Sequence, residues 1–210
     1  MKTKTFLILI LVIGINSGCA KIYYSADSTT LAQNHQTIAI APPTVSIAAT
    51  KKMDGQALIE QQKTESINFQ KEMYSWMLKR KMQGKINVEI QDVETTIAKL
   101  KKAGYYVGTP LSPIEICEIL GVDGVITSNY SLSKPMSEGA ALALGILVGV
   151  WGATNSATIA ISIHDLKTKK MIWNFNHKLS GSTFTTPAKI VDALMRQASR
   201  KMPYIIQHDI

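Results

Sequence analysis

Thr158-Ile-Ala-Ile-Ser-Ile-His-Asp165 alternates apolar with small or polar residues, and Met171-Ile-Trp-Asn-Phe-Asn-His-Lys-Leu179 repeats the pattern after a short polar gap. Period-two alternation marks a strand with one buried face, so Ile159, Ile161 and Ile163 point inward together. Met171, Trp173, Phe175 and Leu179 are expected to do the same on the second strand. Leu166–Lys170 is short enough to close the two into an antiparallel hairpin. Thr186-Pro187 then opens a helix, with proline where its missing N–H costs nothing. Ile190, Val191, Leu194, Met195, Ala198 and Met202 line the buried face of that helix. Strands that need cover and a helix able to cover them point to an α/β fold.

Upstream of the hairpin the same reasoning gives the other elements. Thr37–Ala41 is a brief apolar strand stopped by Pro42-Pro43, and 44–55 reads as a loop of small residues. Gln56 to Met82 lacks proline and glycine, and Leu58, Gln62, Ser66, Phe69, Met73, Trp76 and Met77 fall at helical spacing before Gly84 ends the run. Ile86, Val88 and Ile90 alternate, yet Ile86, Ile90, Val93, Ile97 and Leu100 also fit one helical face. Asp92 as an N-cap resolves this into a strand over 85–91 and a helix over 93–103, closed by Gly104. Ser112-Pro113-Ile114-Glu115 carries a capping box with proline at the first helical position, and that short helix stops at Gly121. Val125–Leu132 comes next as a strand. The economical arrangement is a mixed sheet of about five strands with helices packed on it, ending in the hairpin and its helix.

The first residues give an address. Lys2 and Lys4 precede an unbroken apolar run from Phe6 to Ile13, and small residues lead to Cys19. This is a secretory signal peptide over residues 1–18, too short to stay as a membrane span. A cysteine directly after Ser17-Gly18 is the cutting site of a bacterial lipoprotein signal, so Cys19 is the expected lipidation site. Asn16 departs from the aliphatic residue usual in such signals, and an ordinary signal peptide is the alternative. Residues 19–36 are polar with little periodicity and read as a flexible, lipid-anchored tether. Residues 37–210 then form a single domain, long enough for a sizeable core.

The formal charge of +8 includes Lys2 and Lys4, and the remaining cations are scattered in short clusters. No run has the length or aromatic interleaving of a nucleic-acid face, so nucleic acid is not an expected partner. Solvated helix faces are the plainer reading, with attraction to anionic lipid or cell-wall polymer as the other. Cys117 lies in the apolar stretch Ile114–Leu120 and reads as a small buried hydrophobe.

One segment does not fit an ordinary strand connection. Residues 139–153, the heart of an apolar, Gly-rich insertion over 137–155, contain no charge and no hydrogen-bonding side chain except the Trp151 indole. They fall short of the ~20 residues of a membrane helix. They can be a buried helix, an interface, or a segment entering lipid. As an interaction surface they would present Leu142, Leu144, Ile146, Leu147, Val148, Val150 and Trp151 to a partner.

No catalytic or metal constellation is evident: there is no nucleophile elbow, phosphate loop or zinc-spaced cysteine cluster. His164 and His177 could meet across the hairpin and bind metal or pair with Asp165, but two ligands make a poor metal site. The expectation is a protein that is not an enzyme and uses neither cofactor nor metal.

Four stretches together resemble a family of bacterial envelope lipoproteins folded like the amino-terminal domain of TolB. They are Ile38–Pro43, Val88–Thr96, Glu115–Val125 and Asp165–Trp173, the last with Lys169 where such hairpins usually carry glycine. The family includes relatives of the curli-secretion lipoprotein CsgG and lipoproteins that activate peptidoglycan synthases. The resemblance implies an acylated, palmitate-bearing accessory protein in the outer membrane, facing the periplasm and binding a protein partner of the transport, secretion or cell-wall machinery. Its alternative is a subunit of a CsgG-like homo-oligomeric channel that uses 139–153 as interface or membrane insertion. That segment lacks the alternation of a transmembrane hairpin, which counts against a pore.

Overall fold

The computed structural model describes residues 20–48, 54–107, 109–133, 156–180 and 186–206. Cys19, the signal peptide and the whole run from Leu142 to Trp151 lie outside the described residues.

The fold is a mixed α/β arrangement. Its strands are β1 (Lys21–Tyr24), β2 (Thr37–Ile40), β3 (Thr44–Ile47), β4 (Glu89–Ile90), β5 (Gly124–Leu132), β6 (Ser156–Asp165) and β7 (Lys170–Ser180). Its helices are α1 (Ser28–Gln33), α2 (Gly55–Met82), α3 (Val93–Lys102), α4 (Pro113–Leu120) and α5 (Pro187–Ala198). The strands form one sheet ordered β1-β7-β6-β5-β2-β4, with β3 also paired to β5. β6 and β7 make the expected hairpin, and α5 comes after it.

β2 shows how the layers are built. Ile38 and Ile40 face a core shared with Phe69, Met73 and Met77 of α2 and Ile190 and Leu194 of α5. Ala39 and Ala41 face the other way, onto Leu100 of α3 and Ile116, Cys117 and Leu120 of α4. A strand buried on both faces has no polar side to show. Large residues on one face and alanines on the other fill a deep core on one side and let α3 and α4 approach on the other.

The expected helix ends are in place. Asp92 accepts from the Thr95 amide at 2.7 Å, and Ser112 and Glu115 form a reciprocal capping box. Gly84, Gly104 and Gly121 all have positive φ where a helix must stop. The apolar positions expected of α5 and of Met202 are all buried.

Four expectations need correction. Residues 20–36 are no tether. β1 pairs antiparallel with β7 from Lys21↔Asn176 to Tyr24↔Trp173, and Ser28, Ala32 and His35 are buried. A four-residue edge strand is held by ladder hydrogen bonds and needs no apolar alternation, so its composition resembles that of a linker. Next, 44–47 is a strand and not part of a loop. β2 and β3 run along the same edge of β5, in register Ile38↔Gly124 before Pro42-Pro43 and Thr44↔Asn129 after. The two prolines lack N–H groups and interrupt the line without ending it. Side chains satisfy the carbonyls there: Gln70 donates to Ile40 O at 2.7 Å, Ser66 to Pro43 O at 2.5 Å and Tyr105 to Pro42 O at 3.1 Å.

The strand expected over 85–91 shrinks to Glu89–Ile90, because its neighbour β2 begins only at Thr37, opposite Glu89. Ile86 and Val88 are still buried, while the Lys85 carbonyl accepts from the Ile206 amide at 3.0 Å. Finally, Met171 is 39% exposed. The register shifts between Ile163↔Trp173 and His164↔Met171, so Ile172 is an inserted bulge residue that goes into the core and turns Met171 outward.

Candidate functional site

The sheet has two unlike ends. At one end Ser133 follows β5 and Ser156 opens β6, with the Ser156 carbonyl accepting from the Ser133 amide at 2.9 Å. At the other end stand Gly124, Asp165 and Lys170, joined by the C-terminal ends of α2 and α5. The second end holds a buried polar network and two clefts.

The network starts from β1 and α1, which carry the chain to His35 at the foot of the sheet. The imidazole is 7% exposed, with Nε2 2.7 Å from Asp165 Oδ1 and Nδ1 2.7 Å from the Tyr204 hydroxyl. An ionised carboxylate only accepts, so with Asp165 ionised Nε2–H donates to it and Nδ1 accepts the phenol proton. The second Asp165 oxygen accepts from the Thr168 amide at 2.6 Å and from its hydroxyl. Burial alone would raise the Asp165 carboxyl, but hydrogen bonds from Thr168 and His35 outweigh it and hold it below the ordinary range. Burial first, and then the neighbouring Cys117 and Asp165, push the Tyr204 phenol well above its ordinary value, so it stays a donor.

Gly124 makes room for this. A Cβ there would come within 2.6 Å of His35 Cε1 and 3.0 Å of the Tyr204 hydroxyl. The glycine is required by close approach rather than by backbone angle.

Both imidazole nitrogens are engaged inside the fold, so His35 offers a substrate neither a lone pair nor a proton. The network is a tie that fastens the N-terminal segment, the hairpin turn and the C-terminal segment together. Cys117 is also closed to chemistry: burial pushes its thiol up to about 12, far from the thiolate a nucleophile needs. His164 and His177 do not meet, since His164 pairs with Met171 and His177 with Ile159. Asp165 pairs with His35 instead, a partner 130 positions away that local spacing could not reveal. Among the described residues no group of three metal-ligating side chains converges, and no helix is long and apolar enough to cross a membrane.

Two clefts adjoin the tie. One, of about 680 Å³, is lined by Ser28, Thr29, Asn87 and Lys201, with His35 and Tyr204 in its wall. The other, of about 470 Å³, is lined by Trp76, Arg80, Lys85, Ser199 and Arg200. Ile205 and Ile206 border both. The Arg80 guanidinium lies 4.7 Å from the centre of the Trp76 ring.

No protein-family model matches this chain, and no curated protein matches it. Solved structures do. Lipoprotein GNA1162 from Neisseria meningitidis is 13% identical over 79% of this chain and 99% of its own, with a TM-score of 0.43. The PelC dodecamer from Paraburkholderia phytofirmans is 8% identical over 91% of this chain and 99% of its own, with a TM-score of 0.43. The LpoB C-terminal domain from Escherichia coli is 9% identical over 73% of this chain and 94% of its own, with a TM-score of 0.34.

Proposed function

We propose that this protein is a lipid-anchored accessory protein of the bacterial cell envelope. It is acylated at Cys19, held to the outer membrane facing the periplasm, and docks to a protein partner without catalysing a reaction. The observation that supports this reading best is the side from which β1 enters the sheet. β1, which begins two residues after Cys19, enters from the side of the sheet on which Ser133 and Ser156 stand: Lys21 is level with Asn176 and Ala160, and the strand runs away from that side. A lipid on Cys19 would bring the bilayer toward that side, and the reading gives contact with the partner to Leu142, Leu144, Ile146, Leu147, Val148, Val150 and Trp151 of the apolar run between Ser133 and Ser156. The opposite end, with its tie and clefts, faces the periplasm. One acyl chain anchors only marginally, so stable attachment uses the several chains of a lipoprotein. The closed His35–Asp165 pair supports a non-enzymatic role.

The test is palmitate labelling and membrane fractionation of wild type and Cys19→Ala in a bacterial host, then mass measurement in mild detergent with and without residues 139–153. Wild type is expected to be labelled and membrane-bound, and Cys19→Ala unlabelled and released. An unlabelled wild type sinks the anchored reading. A large ring that falls to folded monomers on deletion would replace the docking role with a channel-like assembly.

A further inference from the structure

The clefts at the membrane-distal end gather cations that are dispersed in the sequence. Arg80 comes from the last turn of α2, Lys85 from just beyond it, and Arg200 and Lys201 from the segment after α5. Helix C-termini attract positive charge for their own stability, which accounts for Arg80. It does not account for Lys85 and Lys201, which lie outside both helices and are exposed. Among the described residues no Asp or Glu lines either cleft. The nearby carboxylate of Asp192 is bound by Arg196. The floor between the cations is apolar, made by Trp76, Ile205 and Ile206, and the Ile206 amide bonded to Lys85 O fixes that floor in place.

We propose that these adjoining clefts hold an acidic segment of the protein partner, with carboxylates flanking an aliphatic or aromatic anchor. The proposal rests on the docking function proposed above and names the chemistry of what docks. Carboxylates meet Lys85 and Lys201 at the rim, and the anchor packs on Trp76 and the two isoleucines. Such a centre of aromatic and apolar contact within a charged rim is how short segments gain both affinity and orientation. A purely phosphate-bearing polymer would use the cations and leave the apolar floor idle. Headgroups of the anchoring bilayer lie toward the opposite side of the sheet, from which β1 enters.

The experiment uses the acylated full-length protein in nanodiscs and the capped peptide Glu-Glu-Leu-Phe-Glu-Glu, with tryptophan fluorescence as the readout. A peptide with lysine at each glutamate position and inorganic tripolyphosphate serve as comparators. Saturable binding of the acidic peptide is expected, weakening with salt and absent for the lysine peptide. Lys85→Glu combined with Lys201→Glu should weaken it about tenfold, and the milder pair Lys85→Gln with Lys201→Gln should weaken it less while keeping the melting curve of wild type. Absence of saturable binding, or unchanged affinity in both pairs, overturns the proposal. Tighter binding of tripolyphosphate than of the peptide overturns it in favour of a phosphate polymer. Palmitate labelling and membrane association of the same variants report on the anchored docking role separately, so a failure here leaves that role standing.

Discussion

Tyr204 and His35, separated by 169 positions, meet at 2.7 Å between the phenol oxygen and Nδ1. The contact closes the end of the chain onto its beginning at the foot of the sheet. Tyr204→Phe keeps the ring and leaves Nδ1 buried without its donor, which should cost ~1–3 kcal/mol. Urea unfolding of the two proteins compares them directly, and equal midpoints would mean that the tie contributes nothing.

Gly124→Ala places a methyl group 2.6 Å from His35 Cε1, so the imidazole must move off both of its partners. A loss of ~1–3 kcal/mol is expected from overpacking. The backbone there needs no glycine for its angles, so pairing Gly124→Ala with His35→Ala should recover part of the loss in a double-mutant cycle. Additive effects would rule out the clash as the cause.

His177 lies 6% exposed on the core face, its Nδ1 buried without a protein hydrogen-bond partner. Burial holds its imidazole below the ordinary value, and half-buried His164 is displaced the same way. A base with a lower folded than unfolded pKa takes up its proton more readily unfolded. Its contribution is therefore intact above the unfolded value of ~6.5 and is lost as pH falls through the folded one. Thermal melts at pH 7 and pH 5 should show a drop that His177→Leu reduces. An identical drop in the variant would clear His177.

Lys169 holds φ at 58°, in the left-handed region, in the turn between β6 and β7. Left-handed backbone costs a side-chain-bearing residue roughly 1 kcal/mol. Lys169→Gly should accordingly raise the melting temperature slightly, offset in part by the freer unfolded chain. A lower melting temperature would show that the Lys169 side chain contributes more than its backbone costs.

Gln70 is fully buried and donates to Ile40 O beside the proline break. Gln70→Leu leaves that carbonyl without its donor, although Gln70 Oε1 is itself unpartnered and its removal returns something. A net loss of ~1–2 kcal/mol is expected, and amide exchange near β2 and β3 should accelerate before the rest of the sheet. Uniform exchange would place the damage elsewhere.

Sequence patterns reveal those elements whose signals are local. The Ile159–Ile163 alternation, the Ser112–Glu115 capping box and the Thr186-Pro187 start each carry their cause within a few residues, and the structure has all three in place. β1 and β3 escape such patterns because a short strand at a margin owes its existence to a neighbour distant in sequence. The bulge at Ile172 is invisible because period two has no term for an inserted residue. At the far end, His35, Asp165 and Tyr204 come together only through the topology, and Arg80, Lys85, Arg200 and Lys201 likewise read as separate solvated charges. Asp165 stands out in the sequence as a partner for histidine, but spacing points to the near histidines rather than to His35.

The pairing of β1 with β7 also decides how the domain bears load. A pull applied at Ala20 along the axis of β1, as a lipid on Cys19 would apply it, strains its four register pairs from Lys21↔Asn176 to Tyr24↔Trp173 together, in shear. The same pairs peeled from the Tyr24 end would open one at a time. The direction of attachment thus makes a strand of four residues a firm mooring, and any force that still passes it meets the His35–Asp165 tie next.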